Sequence, residues 1–159
     1  MKHPISNQIE ELFLQRGQEN YGVEKVTQLQ HACQCGSLAK SSNKDDALII
    51  SAFLHDIGHI LSESAFPSDL QSNLDDHHED LGYAYLSQFF DNQITDPIRL
   101  HVAAKRYLCT KDPGYAKKLS PTSYESFIDQ GGPMSDEEVS TFESEPYYKE
   151  ALLVRKWDD

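Results

Sequence analysis

The sequence has few basic residues: 14 Lys and Arg stand against 26 Asp and Glu, which gives a formal net charge of −12. Nucleic-acid-binding proteins draw much of their affinity from basic patches that face phosphates, so this composition excludes nucleic acid as the main partner. No run of about 18 apolar residues occurs, which excludes a membrane-spanning helix. Residues 1–4 lack the apolar core of a signal peptide. We therefore expect a cytoplasmic protein with a small-molecule ligand.

Cysteine is also scarce, with Cys33, Cys35 and Cys109 as the three examples. An odd number of cysteines without a secretory signal indicates reduced thiols. Cys33 and Cys35 resemble half of a zinc site, but no second cysteine pair completes it. We expect these two thiols to pack on a helix instead.

Strand-like alternation of apolar and polar residues is absent, whereas helical spacing recurs along the chain. We therefore predict one all-α domain over residues 1–159. The predicted helices cover residues 4–15, 24–39, a buried segment holding His55 and Asp56, 78–90, a segment opened by Thr95 and Pro97, 121–130 and 147–156. Residues 62–76 form a long polar stretch, which we interpret as a lid over the site.

The most informative stretch runs from His55 to His59 and follows the apolar residues 47–54. A buried carboxylate needs a partner or a metal ion. On a helix, adjacent side chains diverge by roughly 100°, so His55 and Asp56 are not expected to chelate one ion side by side. We predict that they serve two neighbouring ions, with Asp56 as the bridge.

Further metal-ligand candidates are spread along the chain. His31, His78 and His101 lie near apolar helix faces, although each histidine taken alone is more often structural than ligating. Together with the His-Asp pair they make a nitrogen-rich set that suits iron, zinc, copper or nickel rather than magnesium or calcium. Asp158 is the best candidate for a second carboxylate, with Asp159 beside it as the alternative.

The order of these residues resembles the HD-domain superfamily of helical metalloproteins. Within that superfamily, the segments at 101–108 (HVAAKRYL) and 130–134 (QGGPM) resemble the organophosphonate-degrading di-iron oxygenases. The likeness extends from about residue 20 to the end of the chain. His78, rather than His77, begins the matching His-Glu-x-x-Gly pattern, and Ser126 stands where the family is expected to carry threonine.

The resemblance implies an HD-domain helical bundle with two iron ions, Fe(II) and Fe(III), and O2 as co-substrate. Its implied iron ligands are His31, His55 and Asp158 for one ion, His78 and His101 for the other, and Asp56 as the bridge. Its implied phosphonate-binding residues are His59, Lys105, Ser123, Ser126, Gln130 and Arg155. Tyr21 resembles a tyrosine that occupies an iron position until substrate displaces it, and Glu24 resembles the carboxylate that receives the substrate's amino group.

The predicted reaction is oxidative cleavage of the C–P bond in a 2-amino- or 2-trimethylammonio-1-hydroxyethylphosphonate. Its products would be phosphate and glycine or glycine betaine, and Tyr21, Glu24, His59 and Lys105 would take part in catalysis. The residue types agree with this substrate, because a phosphonate dianion favours a guanidinium, a lysine and hydroxyl donors. The alternatives are a metal-dependent HD phosphohydrolase and a regulatory HD module. The sequence leaves the substrate's amine type and the oligomeric state open.

Overall fold

The structure is a computed structural model that describes residues 3–21, 25–61 and 77–159. Within these ranges the chain forms nine α-helices and one short 3-10 helix, and its only extended pairing is an isolated bridge between Asn20 and Thr27. The prediction of an all-α fold is confirmed. The lid predicted at residues 62–76 lies outside the described residues.

The helices vary from six residues in α6 to 20 in α5. In chain order they are α1 Pro4–Arg16, α2 Gln28–Ser41, α3 Asp46–Leu54, α4 His78–Leu86, α5 Asn92–Lys111, α6 Pro113–Lys118, α7 Pro121–Asp129, α8 Asp136–Glu143 and α9 Tyr148–Asp158. The 3-10 helix Ile57–His59 follows α3. Among the described helices, none combines the length and the apolar character that crossing a membrane requires.

Side-chain caps set several of the helix starts. A capping box of Ser135 and Glu138 is present at the start of α8. Thr27 forms a second one, because its side chain accepts from the backbone N–H of Gln30 while the Gln30 side chain accepts from Thr27. This cap places the start of α2 at Gln28, so the prediction that this helix begins at residue 24 is wrong.

The start of α5 differs most from the prediction. Thr95 is not its N-cap: the helix begins at Asn92, where the Asp91 side chain accepts from the N–H of Gln93, and it continues through Pro97. Proline in a helix removes one backbone hydrogen bond. Eleven residues of α5 between Ile94 and Cys109 are buried, and this burial outweighs the missing bond.

Helix α5 lies at the centre of the fold and packs against α3, α4 and α9. It contributes Ile98 to one apolar cluster, which includes Leu54 and Leu86, and Leu100 and Ala104 to a second one. Helix α2 also packs against α3 and α9. Side chains from α2, α3, α4, α5 and α9 therefore meet in one buried region.

Candidate di-metal site

The His-Asp pair lies just beyond the end of α3 rather than on the helix. Helix α3 ends at Leu54, His55 caps it, and Asp56 has the non-helical torsions φ −103° and ψ 14°. The prediction that both residues are held on one helix is therefore wrong. Because the backbone turns here, the two side chains do not diverge: His55 Nε2 lies 3.0 Å from Asp56 Oδ2.

The Asp56 carboxylate stands between two pairs of imidazoles. Its Oδ2 atom is 3.0 Å from His55 Nε2 and 3.3 Å from His31 Nε2. Its Oδ1 atom is 3.1 Å from His78 Nε2 and 3.4 Å from His101 Nε2. Each oxygen thus faces a different histidine pair, which is the geometry of a carboxylate that bridges two ions.

Asp158 joins the His31 and His55 side of the site. It is the last residue of α9, and its Oδ1 atom lies 2.8 Å from His31 Nε2 and 3.2 Å from His55 Nε2. Arg155, one turn earlier, donates from Nη1 to the other oxygen of Asp158 at 2.5 Å. The structure therefore brings the six residues predicted as metal ligands into one cluster.

The unpartnered atoms of this cluster fit metal ions. His55 Nε2 and Asp56 Oδ2 are both buried and, within the described part of the chain, neither has a hydrogen-bond partner despite their separation of 3.0 Å. Buried polar atoms normally have partners, and an ion between these atoms would supply one. Potential ligand atoms lie within 4.8 Å of one another in the groups His31/Cys35/His55/Asp158, His55/Asp56/His101 and Asp56/His59/His78.

The electrostatics favour positive charge between the carboxylates. Burial opposes a charge on His31, but its hydrogen bonds to Asp158 and Asp56 outweigh that effect and raise its pKa to about 11. Burial lowers the pKa of His78 to about 4, so this ring stays neutral. Since only a neutral imidazole ligates a metal, an ion bound at His31 would replace the proton there.

Tyr21 lies against the first half of the cluster. Its ring stacks on His31 with centroids 3.9 Å apart, and its hydroxyl donates to Asp158 Oδ1 at 3.2 Å. Burial, together with the charges of Asp56 and Asp158, raises the pKa of Tyr21 well above its usual value, so the side chain is a neutral phenol. Glu24 lies outside the described residues.

A polar chain leads from the metal cluster to Lys105. Lys105 Nζ donates to Ser126 Oγ at 2.7 Å, Ser126 Oγ donates to the Ser123 carbonyl at 2.9 Å, and Arg155 Nη2 donates to Ser123 Oγ at 3.2 Å. Lys105 is only 3% exposed. Its burial and the nearby charge of Arg155 lower its pKa to about 8.

Arg155 already has many partners within the protein. Besides Asp158 and Ser123, its guanidinium donates to the Tyr115 hydroxyl at 3.1 Å and to Asp159. Most of its N–H donors are thus committed, so few remain for the phosphonate binding that the family resemblance implies. Its clearest structural role is to hold Asp158. Tyr115, which no pattern in the sequence indicated, also donates to Asp159.

The remaining predicted residues lie in two places. His59 is half-buried, stacks on His78 at 4.0 Å between ring centroids, and has Nε2 3.9 Å from Asp56 Oδ1. Gln130 caps the C-terminus of α7, and its Oε1 atom is buried without a hydrogen-bond partner among the residues described. One face of the His59 ring and the Oε1 atom of Gln130 are therefore left for a ligand.

Cys35, predicted from the sequence only as a packing thiol, is a neighbour of the site. Its Sγ atom lies 3.7 Å from His31 Nε2 and donates to the Trp157 carbonyl at 3.4 Å. The signal was available in the sequence, because His31 and Cys35 are four residues apart on one helix and so share a face. Cys33, by contrast, is exposed.

Comparison with known proteins agrees with this geometry. The family model described as HD domain matches residues 28–158. The chain belongs to the HD-domain family, which confirms the membership predicted from the sequence.

Several relatives are more specific. The chain is 43% identical to a [1-hydroxy-2-(trimethylamino)ethyl]phosphonate dioxygenase (glycine-betaine-forming) of Leisingera caerulea, over 93% of this chain and 75% of that protein. It is 44% identical to a hydroxymethylphosphonate dioxygenase of Gimesia maris, over 94% and 74% of the two chains. An uncharacterized protein of Acanthamoeba polyphaga mimivirus is 38% identical over 96% and 70%. The predicted resemblance to phosphonate dioxygenases is confirmed.

Proposed function

We propose that this protein is a di-iron oxygenase that uses O2 to cleave the C–P bond of a 1-hydroxyphosphonate. The observation that carries the proposal is the Asp56 carboxylate, whose two oxygens face different imidazole pairs. Relatives named as phosphonate dioxygenases support the choice of substrate class. Phosphate and a carboxylic acid together contain two more oxygen atoms than the 1-hydroxyphosphonate from which they form. One molecule of O2 supplies both of these atoms.

The proposed ligands divide into two groups around Asp56. One ion would be held by His31, His55 and Asp158, the other by His78 and His101, and both by Asp56. Imidazole-rich sets with carboxylates suit iron, and when bound the two ions would supply the redox chemistry with O2. The protein contributes the buried surroundings: Asp56 and the four imidazoles are each less than one-tenth exposed.

The protein's own polar residues would bind the substrate beside the ions. Lys105, Ser126 and Ser123 are suitable residue types for binding a phosphonate dianion, and Gln130 and His59 would contribute further polar atoms. The Tyr21 hydroxyl lies 3.2 Å from Asp158, and we expect an entering substrate hydroxyl to displace it. Glu24 stays a predicted partner of the substrate's amino or trimethylammonium group.

Oxygen dependence is the direct test. Iron-loaded protein should release phosphate from 2-amino-1-hydroxyethylphosphonate, its trimethylammonio analogue or hydroxymethylphosphonate in air, and should stop when O2 is removed. The amount of carboxylic acid product should equal the amount of phosphate, because cleavage of one C–P bond yields one molecule of each. Phosphate release that continues without O2, or from a simple phosphate ester, would instead identify a phosphohydrolase with the same ligands.

The pH dependence of substrate binding should follow Lys105. Its pKa is lowered to about 8, so the ammonium that attracts the phosphonate is present below that pH and is lost above it. We therefore expect the KM to rise as the pH increases through about 8. In Lys105→Met, the KM near neutral pH should be about 10- to 100-fold higher than in the unmodified protein, which corresponds to the loss of one charge-assisted hydrogen bond. The further rise of the KM near pH 8 should be absent.

Lys111→Met provides the matched control, since Lys111 is exposed at the end of the same helix. Its KM profile should follow that of the unmodified protein. A Lys105→Met protein with an unchanged KM and the same pH profile would remove Lys105 from the substrate site.

A further inference from the structure

Two buried histidines of the site are held by backbone carbonyls of their own helices. His55 Nδ1 is 2.7 Å from the carbonyl oxygen of Ala52, and His101 Nδ1 is 2.7 Å from that of Ile98. In each case the carbonyl lies three residues earlier. An Nδ1–H that donates to it leaves the Nε2 lone pair directed at Asp56, which fixes both the ring and its tautomer.

For His78 the described residues show no such carbonyl. It is the first residue of α4, and the residue three positions earlier lies outside the described ranges. Its Nε2 atom nevertheless lies 3.1 Å from Asp56 Oδ1 and needs the same tautomer as the other two rings. An acceptor for its Nδ1–H is therefore to be sought among the described side chains around it.

Among the described residues, Glu79 offers a suitable acceptor. Its Oε2 atom lies 3.6 Å from His78 Nδ1, slightly beyond hydrogen-bond distance, so a shift of a few tenths of an ångström would form the bond. This atom is buried and has no hydrogen-bond partner in the described ranges. An ordinary first-turn acid, which only complements the helix dipole, remains in water. Asp80 is such a residue: it shares the first turn of α4 but is exposed.

We propose that Glu79 is a positioning residue, which accepts the Nδ1–H of His78 and so presents Nε2 to the ion shared with His101 and Asp56. The inference rests on the ligand set of the proposed function. It does not depend on O2 or on the substrate. A carboxylate behind a ligating imidazole makes the ring a better donor, and its loss typically weakens metal binding about 10- to 100-fold.

Metal binding without substrate tests this role. Titration of Glu79→Met with iron should show the second equivalent binding about 10- to 100-fold more weakly, while the first equivalent binds as before. Glu79→Gln should retain most of the affinity, because its amide oxygen still accepts from Nδ1–H. Asp80→Asn should leave both equivalents unchanged. The electron paramagnetic resonance signal of a coupled Fe(II)/Fe(III) pair should weaken in parallel.

Full two-ion affinity in Glu79→Met, or an equal loss in Asp80→Asn, would overturn the proposal. A second measurement covers the case in which Glu79→Met does not fold. In unmodified zinc-loaded protein with 15N-labelled histidine, nuclear magnetic resonance should find a slowly exchanging proton on His78 Nδ1, and its absence would refute the hydrogen bond. Because neither measurement uses turnover, a failed oxygenase assay would not affect the result.

Discussion

Asp56→Asn is expected to cost the protein both metal ions rather than one. Each Asp56 oxygen lies within 3.4 Å of two imidazoles, so the carboxylate belongs to both halves of the cluster. Asparagine keeps the shape but removes the negative charge and replaces one oxygen by an N–H donor, which cannot ligate. Loss of a residue that only hydrogen-bonds a metal ligand lowers metal affinity about 10- to 100-fold. Loss of a direct ligand shared by both ions should therefore lower the affinity for each ion by more than about 100-fold.

Iron content per chain after loading and desalting is the measurement that decides this prediction. Asp96→Asn is the matched control, because Asp96 is also a buried carboxylate but pairs with Arg99 outside the site. It should retain both ions. His101→Ala should lose only the ion that His101 shares with His78. Two ions bound to Asp56→Asn would contradict the bridging role.

The helix starts that depend on local contacts were predictable from the sequence. Ser120 caps α7 and Ser135 caps α8, and each bond joins residues three positions apart. Predictions failed where tertiary burial competes with a local signal. Pro97 suggests a helix start, yet the burial of α5 carries the helix through it. His55 follows an apolar run that suggests a continuing helix, yet the chain turns at Asp56.

The site was predictable in its residue types but less so in its contacts. Metal-capable histidines stand out in the sequence, whereas Asp158 lies 127 residues from His31 and meets it only because α9 packs on α2. The sequence leaves Asp158 and Asp159 as alternatives, and the family resemblance favours Asp158. The partners of Arg155 were not predictable either, because they depend on where α6 brings Tyr115. Sequence spacing does not encode such contacts.

Gly58→Ala is expected to be strongly destabilising, because the glycine stands where two backbones touch. A Cβ atom at Gly58 would lie 2.0 Å from the carbonyl oxygen of His78, 2.7 Å from its carbonyl carbon and 2.9 Å from its Cα. These are backbone atoms at the start of α4, so no side-chain rotation relieves the clash. Overpacking of this kind costs about 1–3 kcal/mol and occasionally more, and we expect the upper end of that range.

The same substitution should also remove the second metal ion, since relief of the clash requires α4 to move and α4 carries His78. Gly36→Ala is the control: its Cβ would meet Phe53 at 3.4 Å or more, an ordinary contact. Alanine within α2 should be neutral or stabilising by up to about 1 kcal/mol. Chemical denaturation and metal titration of both variants are the measurements. Unchanged stability and full binding of both ions in Gly58→Ala would contradict this prediction. The 3-10 turn and α4 could then separate without disturbing His78, and the close backbone contact would have no part in positioning this ligand.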